Sequence, residues 1–494
     1  MENNMLVGVQ ERPKAGQWVV LSLQHVFAMF GATVLVPLLT GLDVGVALVA
    51  SGIGTLIYIA CTKGKVPVYL GSSFAYIAAI ITAINTSGIE SAYVGLMVVG
   101  VIYAIISTII RFTGNGWLKK LLPPVVVGPM IIIIGLGLAP IAISSAGIGA
   151  ADDTFYSARL SATADYSSIE QDSYTTGEFN LSFNETGELV VIAAPGDTTD
   201  FKVDGLRLFA SDSKLYEYDQ ETDTYNLVKS DFYKKAIVAV ITFLSVVGVA
   251  LLGKGFFKIV PFLIAIIVGY TAAVIFGLVD ITKVFTDYSF MQLPNFTFIG
   301  TYKFDWSAVL MFAPIAFVTI AEHIGDHTVL GEVTGKDFIE DPGLENTILG
   351  DGLATFVSAA IGGPANTTYG ENTGVVAMTR VGSVYVTGLA AIFAISLGFF
   401  GYIQAFINSI PWAVIGGMTI ILYGLIAGNG VKVLVKSKVD LGNMRNLIIV
   451  ATMLVIGLGG ATIALNDVVS LTGMSLAALV GIILNQILPK NIEA

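Results

Sequence analysis

Long apolar runs recur along almost the whole chain, and nothing else in the sequence constrains the fold as strongly. A run of roughly 20 apolar residues is what a helix needs to cross a hydrocarbon core of about 30 Å. Charged residues make up only 12% of the chain, against roughly a quarter in an ordinary soluble domain. A soluble multidomain enzyme is therefore excluded. The pattern predicts fourteen membrane spans at 17–39, 43–62, 72–86, 90–112, 122–146, 235–253, 258–280, 306–328, 345–362, 371–382, 383–401, 406–428, 444–462 and 471–489, two of them short. The segment before the first run has no small-residue cleavage pattern, so the first span is expected to be retained.

Lysine and arginine placement sets the orientation. With the N-terminus inside, 16 of the 25 basic residues fall on the cytoplasmic face, and outside the 151–235 segment only Lys283 and Lys303 lie opposite. Both termini are thus expected in the cytoplasm, which an even number of spans allows. The formal charge of −11 remains odd for so apolar a chain, because acids are expensive in lipid. Between Ala151 and Lys235 there are 17 acids and 7 bases, so −10 of the −11 sits in one stretch. Its alternating runs, such as Lys214 to Tyr218, read as a small β-rich extracellular insertion over 151–234, with Asp219 to Asp223 as a candidate turn. An acidic disordered loop is the alternative, and the aromatic content argues against full disorder. The single cysteine, Cys61, excludes an internal disulfide framework, and three histidines give no histidine-rich metal site.

Fourteen spans divide into seven plus seven, and halves of odd number would be inverted relative to each other. Such folds carry their site near the bilayer centre on discontinuous helices. Two short spans match that pattern. The third opens on Tyr69-Leu70-Gly71-Ser72-Ser73-Phe74-Ala75-Tyr76 and the tenth on Asn366-Thr367-Thr368-Tyr369-Gly370-Glu371-Asn372, each a hydroxyl- and glycine-containing run before an apolar segment. The expectation is two half-helices whose N-termini meet, each preceded by a short strand that pairs with the other. Helix N-termini would attract acceptor atoms of a ligand, and protein must shield such backbone from lipid.

Ionisable residues inside spans are functional candidates. Glu322 lies in the eighth span and Glu371 heads the tenth. A carboxylate accepts two hydrogen bonds side by side, which suits a planar ligand with paired N–H donors. Asp326 is one turn after Glu322 on the same face. His25 is a candidate to orient or share a proton with an acid, whereas His323, about 100° round from Glu322, suits packing. Phe74 and Tyr369 are placed to stack on a flat ring and Tyr423 to approach from the other half, the alternative being aromatic packing. The run Gly248 to Lys254 copies the spacing of a nucleotide-binding loop, but Gly255 stands where Ser or Thr is needed and the run ends an apolar span. No nucleophile–base pair or metal cluster appears, so an enzyme is not expected.

At these residues the chain resembles the nucleobase/ascorbate transporter family, and within it the bacterial uracil permeases. Glu371-Asn372-Thr373-Gly374 through Thr379-Arg380 is similar to the family signature of an acid or amide followed by Asn-x-Gly-x4-Thr-Arg. Leu21 to Thr33, Tyr69 to Tyr76, Ala321-Glu322-His323 and Asp341 to Leu344 carry the likeness too, and only about 150–235 lies outside it. The resemblance implies a core domain (17–112 and 306–401), a gate domain (122–146, 235–280 and 406–489), a homodimer, and import of a nucleobase, uracil first, coupled to protons. It implies substrate contacts from Glu322, Glu371, Tyr369, Ser73 and the main-chain N–H groups of Phe74 and Gly370. Glu371, His25, Asp326 and Tyr423 would serve proton coupling. Asp326 departs from the pattern, since the uracil permease has His there. No cofactor and no nucleic-acid partner is implied. The rival readings are a xanthine, urate or other purine permease of the same family, an anion exchanger of the same fold, and a non-transporting receptor.

Overall fold

The computed structural model describes residues 5–148, 232–286, 288–464 and 470–489, and seven short strands between 174 and 227. Helices α1 (Ala15–Thr40) and α2 (Val44–Cys61) are separated by Gly41, whose φ of 75° ends α1, and by Asp43, whose carboxylate caps α2 by accepting from the Val46 N–H at 2.7 Å. Strand β1 (Leu70–Ser72) leads through one tight turn of helix, Phe74–Tyr76, into α3 (Ile77–Ser87). Then follow α4 (Ile89–Thr113), α5 (Gly116–Leu121), α6 (Pro124–Gly137) and α7 (Ala139–Ser145). The second part of the chain holds α8 (Phe232–Leu252), α9 (Pro261–Ile275), α10 (Ile281–Val284), α11 (Trp306–Thr334) and α12 (Leu344–Ala360).

Between them lie strands β2 (Tyr174–Thr175), β3 (Asn180–Phe183), β4 (Leu189–Ile192), β5 (Phe201–Asp204), β6 (Arg207–Ala210), β7 (Leu215–Asp219) and β8 (Thr224–Leu227). They form a three-stranded and a four-stranded antiparallel sheet in chain order. Residues 220–223 of the expected turn lie outside the described residues. Packing divides the chain into one unit of Met1–Ser145 with Val238–Ala494 and another of Ala146–Ile237. In the larger unit, strand β9 (Asn366–Thr368) precedes α13 (Gly370–Thr379), and α14 (Val384–Gly398), α15 (Gly401–Asn408), α16 (Trp412–Lys436) and α17 (Met444–Leu458) follow. The hairpin of β10 (Thr462–Ala464) and β11 (Ser470–Thr472) leads into the last helix, α18 (Gly473–Ile487).

Among the described residues seven helices are long and apolar enough to cross a membrane, and five shorter apolar helices accompany them. The protein is a multi-pass membrane protein. One expected span is moved. The run 406–428 is split, because Pro411 lacks an N–H and fixes its own φ, so α15 stops at Asn408 and a new helix starts at Trp412. The run 122–146 is likewise interrupted at Leu138, between α6 and α7.

Helices α4 and α12, α2 and α14, and α6 and α16 make the most extensive helix contacts. Lipid tails are as apolar as leucine, so such contacts depend on close packing rather than on the exclusion of water. Glycines supply it. A Cβ on Gly52 would stand 2.4 Å from the Ala391 carbonyl oxygen, one on Gly100 2.6 Å from that of Gly352, and one on Gly135 2.4 Å from that of Tyr423. Gly428, on the facing helix α16, has open space there. Gly135→Val is expected to cost at least about 1–3 kcal/mol and to broaden the size-exclusion profile in detergent. Gly428→Ala should stay within about 0.5 kcal/mol of the parent, and equal thermal midpoints for the two variants would refute the close-approach account.

Candidate functional site

Strands β1 and β9 pair antiparallel, with Leu70 opposite Thr368, Gly71 opposite Thr367 and Ser72 opposite Asn366. All six residues are buried, so every polar backbone group needs a partner inside protein. The ladder is lengthened by Ser73 N–H donating to the Ala365 carbonyl at 2.8 Å and Tyr369 N–H donating to that of Tyr69 at 3.2 Å. The outer edges are closed by two threonines. Thr55 of α2 accepts from the Leu70 N–H at 2.9 Å and donates to its carbonyl at 3.3 Å. Thr355 of α12 does the same for Asn366, at 3.2 and 3.1 Å. Asn366 then reaches with its side-chain amide to the carbonyls of Ala50 and Ala354, both at 3.2 Å, tying α2 to α12. Gly71 is required, because a Cβ would lie 2.4 Å from the Tyr369 ring.

Each strand delivers the N-terminus of a short helix, α3 or α13, and the first N–H groups of a helix have no partner within it. Glu371 is the second residue of α13. Glu322 and Asp326 occupy one face of α11 and are half-buried, as Glu371 is. Asp326 accepts the hydroxyl of Thr368 at 2.5 Å, which joins α11 to the end of β9 three residues before Glu371. Glu322 is within electrostatic range of Asp326 and Glu371. The three acids that were candidates from sequence are thus brought to one place.

The other candidates take more specific positions. His25 is buried on α1, and its Nδ1 accepts from the Asn372 side-chain amide at 3.0 Å, while that amide also donates to the His25 carbonyl at 3.1 Å. Its partner is therefore the residue after Glu371. Tyr369 is buried, with its hydroxyl donating to the Ser72 carbonyl at 3.0 Å and accepting from Thr33 at 3.2 Å. It braces the strand pair beneath Gly71. Ser73 and Tyr423 are buried, and among the described residues neither hydroxyl oxygen has a hydrogen-bond partner. Gly370 faces open space. Phe74 lines a cavity of about 260 Å³ beside α3, together with Ala78, Thr82, Ile134 and Met311. A second cavity of about 200 Å³ runs beside α13 and is lined by Glu371, Gly374, Met378, Phe27, Phe262 and Lys258. Both are smaller than the roughly 300–1,000 Å³ of pockets for drug-sized ligands.

Behind the acids lies a group that sequence reasoning missed in part. His323 is fully buried and its Nδ1 is 3.0 Å from Oδ2 of Asp351, itself fully buried on α12. The His327 ring stacks on that of His323 at 4.0 Å, its Nδ1 donates to the His323 carbonyl at 2.7 Å, and its Nε2 accepts from the Tyr58 hydroxyl. Asp351 was detectable as an acid inside an apolar helix.

Two small cavities, one beside each short helix and one of them lined by Glu371, inside a bundle of apolar helices, fit a membrane protein that handles a small polar solute. A family model described as "Permease family" matches residues 16–164 and 223–465, and the chain belongs to that family. It is a transporter. It is 41% identical to the uracil permease of Bacillus caldolyticus over all of this chain and 96% of that protein. To the uracil permease of Bacillus subtilis (strain 168) it is 42% identical over 99% of this chain and 96% of that one. Among solved structures, the transmembrane domain of a cyanobacterium bicarbonate transporter, BicA, matches with a TM-score of 0.57 at 12% identity, over 96% of this chain and 98% of that one. That likeness shows a shared fold.

Thr355→Val removes the one hydroxyl that serves both the N–H and the carbonyl of Asn366, with little change of shape. Each buried backbone group left unpaired costs about 1–3 kcal/mol, so a marked fall in the thermal midpoint is expected, with Thr355→Ser recovering most of it. A valine variant as stable as the parent would mean the strand edge is satisfied in another way.

Proposed function

We propose that the chain imports uracil with protons across the cell membrane by alternating access. The observation that carries this reading is the approach of Glu322 and Asp326 to Glu371, which itself lines a cavity of about 200 Å³. Full-length likeness to uracil permeases supports the choice of base. A pyrimidine edge offers N–H donors that a carboxylate pairs with side by side. Glu322 binds through the ring N–H, and Glu371 takes the other polar edge and carries the proton. The N–H groups of Phe74 and Gly370 meet the base's acceptors, with Ser73 and Tyr369 in the supporting shell. His25, through Asn372, holds the helix of Glu371 in place, and Asp326 and Tyr423 complete the proton path.

The fold reading is fourteen spans in two inverted sets of seven, the helices α3 and α13 being half-helices. One offset supports it. The 296 residues from Leu70 to Asn366 also separate Ser72 from Thr368, Ala75 from Glu371, Ala78 from Gly374 and Thr82 from Met378. Strands and cavity faces therefore correspond together, and the register maps onto itself about the pair Gly71 and Thr367. Helix packing follows the same rule, α4 on α12 answering α2 on α14 and α11 on α4 answering α1 on α14. Spans one to four and eight to eleven form the core, and the rest the gate. Basic residues put both termini in the cytoplasm and 151–234 outside. The cavity beside Glu371 has Lys258 in its lining, a residue on the cytoplasmic face of that arrangement. The family resemblance supports a homodimer.

An anion exchanger of the same fold is disfavoured, since carboxylates in the site repel an anion before any proton is bound. A purine permease is separated from a uracil carrier by binding of uracil, xanthine and adenine to purified protein at two pH values. Uracil binding is expected to win at both. Glu322→Ala is expected to weaken uracil binding at least about tenfold, the worth of a hydrogen bond to a charged group, and retained affinity would sink its assignment. With Glu371→Gln, uptake should lose its pH dependence while some binding persists; an unchanged pH profile would remove Glu371 from the proton path.

A further inference from the structure

The segment Met5–Pro13, ahead of α1, lies against the C-terminal end of α13. Leu6 N–H donates to the Arg380 carbonyl at 2.7 Å, Gly382 N–H to that of Val7 at 3.1 Å and Val384 N–H to that of Val9 at 2.9 Å. Val7 and Val381 form a parallel bridge. The Ser383 hydroxyl donates to the Glu11 carbonyl at 2.5 Å, and Trp18 Nε1–H to that of Tyr385 at 2.6 Å. Val9 is 4% exposed and belongs to one buried cluster with Val376 of α13, Val384 of α14, Leu330 of α11 and Tyr58 of α2. A Cβ on Gly382 would come within 2.8 Å of the Met5 methyl.

Helix α13 has only ten residues. Isolated helices shorter than about 12–15 residues are marginal, so its position is set by what holds its two ends. Strand β9 and Asn372 hold the N-terminal end. At the other end Arg380 caps the helix in a left-handed conformation, φ 56°, and its carbonyl is taken by the Leu6 N–H. We infer that Met5–Pro13 is a strap that positions Glu371 by fixing the far end of its helix, with Leu6 and Val9 as the positioning residues. The inference rests on reading Glu371 as a ligand-binding carboxylate for its functional part, and on geometry alone for its structural part. Strap, α13, α14, α11 and α2 share one apolar cluster, and α13, the shortest of these helices, depends most on the strap.

The test uses the full-length protein in detergent. Val9→Asp places a charge in the buried cluster, and Leu6→Pro, at a residue 73% exposed, removes one N–H without touching the core. Hydrogen–deuterium exchange over 372–379 should rise at least about tenfold in either variant, with α6 and α16 unchanged, and Val9→Ile should restore protection. Uracil affinity should fall in parallel. Unchanged exchange over 372–379 in the folded Leu6→Pro protein, or a rise spread evenly over all helices, would overturn the strap. If the parent protein binds no uracil while the local exchange effect is present, the strap stands and the functional reading fails.

Discussion

The two-stranded pair of β1 and β9 is the constraint on which the rest of the structure depends. Irregular and extended backbone inside a bilayer is tolerated only where protein satisfies every polar group. Six residues of strand therefore dictate much of what surrounds them. Thr55 and Thr355 close the edges, Gly71 leaves room for the Tyr369 ring, and Asn366 binds α2 to α12. Glycine-lined contacts between α4 and α12, and between α2 and α14, then bring these helices close enough to serve as the walls.

That pair also explains where the acids are. Interrupting a helix with a strand produces two helix N-termini inside the bundle, and those termini favour negative groups. Glu371 sits at one of them. Glu322 and Asp326 approach from an unbroken helix, α11, and Asp326 is anchored to β9 through Thr368. The opposite terminus, at Phe74, carries no acid: by the offset of 296 residues, Ala75 stands where Glu371 does. The scaffold is repeated while the chemistry is not.

Much of this was legible in the sequence. Apolar periodicity marks the spans, and the hydroxyl- and glycine-rich runs before the two short spans announce the strands. Glu322, Asp326 and Glu371 stand out because ionisable groups are rare in such segments. What periodicity does not carry is pairing between distant residues. His25 meets Asn372 rather than an acid, and Asp351 takes up His323. The start of α16 was readable from Pro411, whose missing N–H outweighs the apolar run around it. The strap at Met5–Pro13 leaves no periodic trace, because its partners are backbone groups more than 370 positions away.

The charge balance completes the picture. Of the formal −11, the stretch 151–235 holds −10, and the helical body is close to neutral. A near-neutral body cannot attract an ion by its overall field, so discrimination falls to the few acids that remain inside. Those acids are held by short-range partners: Thr368 on Asp326, and His323 on Asp351. Hydroxyl and imidazole partners let a carboxylate gain or lose a proton without leaving a permanent opposite charge buried beside it, which a lysine or arginine would impose. Among the described residues neither Glu322 nor Glu371 is set in an ion pair, so both, like Asp326 and Asp351, are free of such a fixed opposite charge.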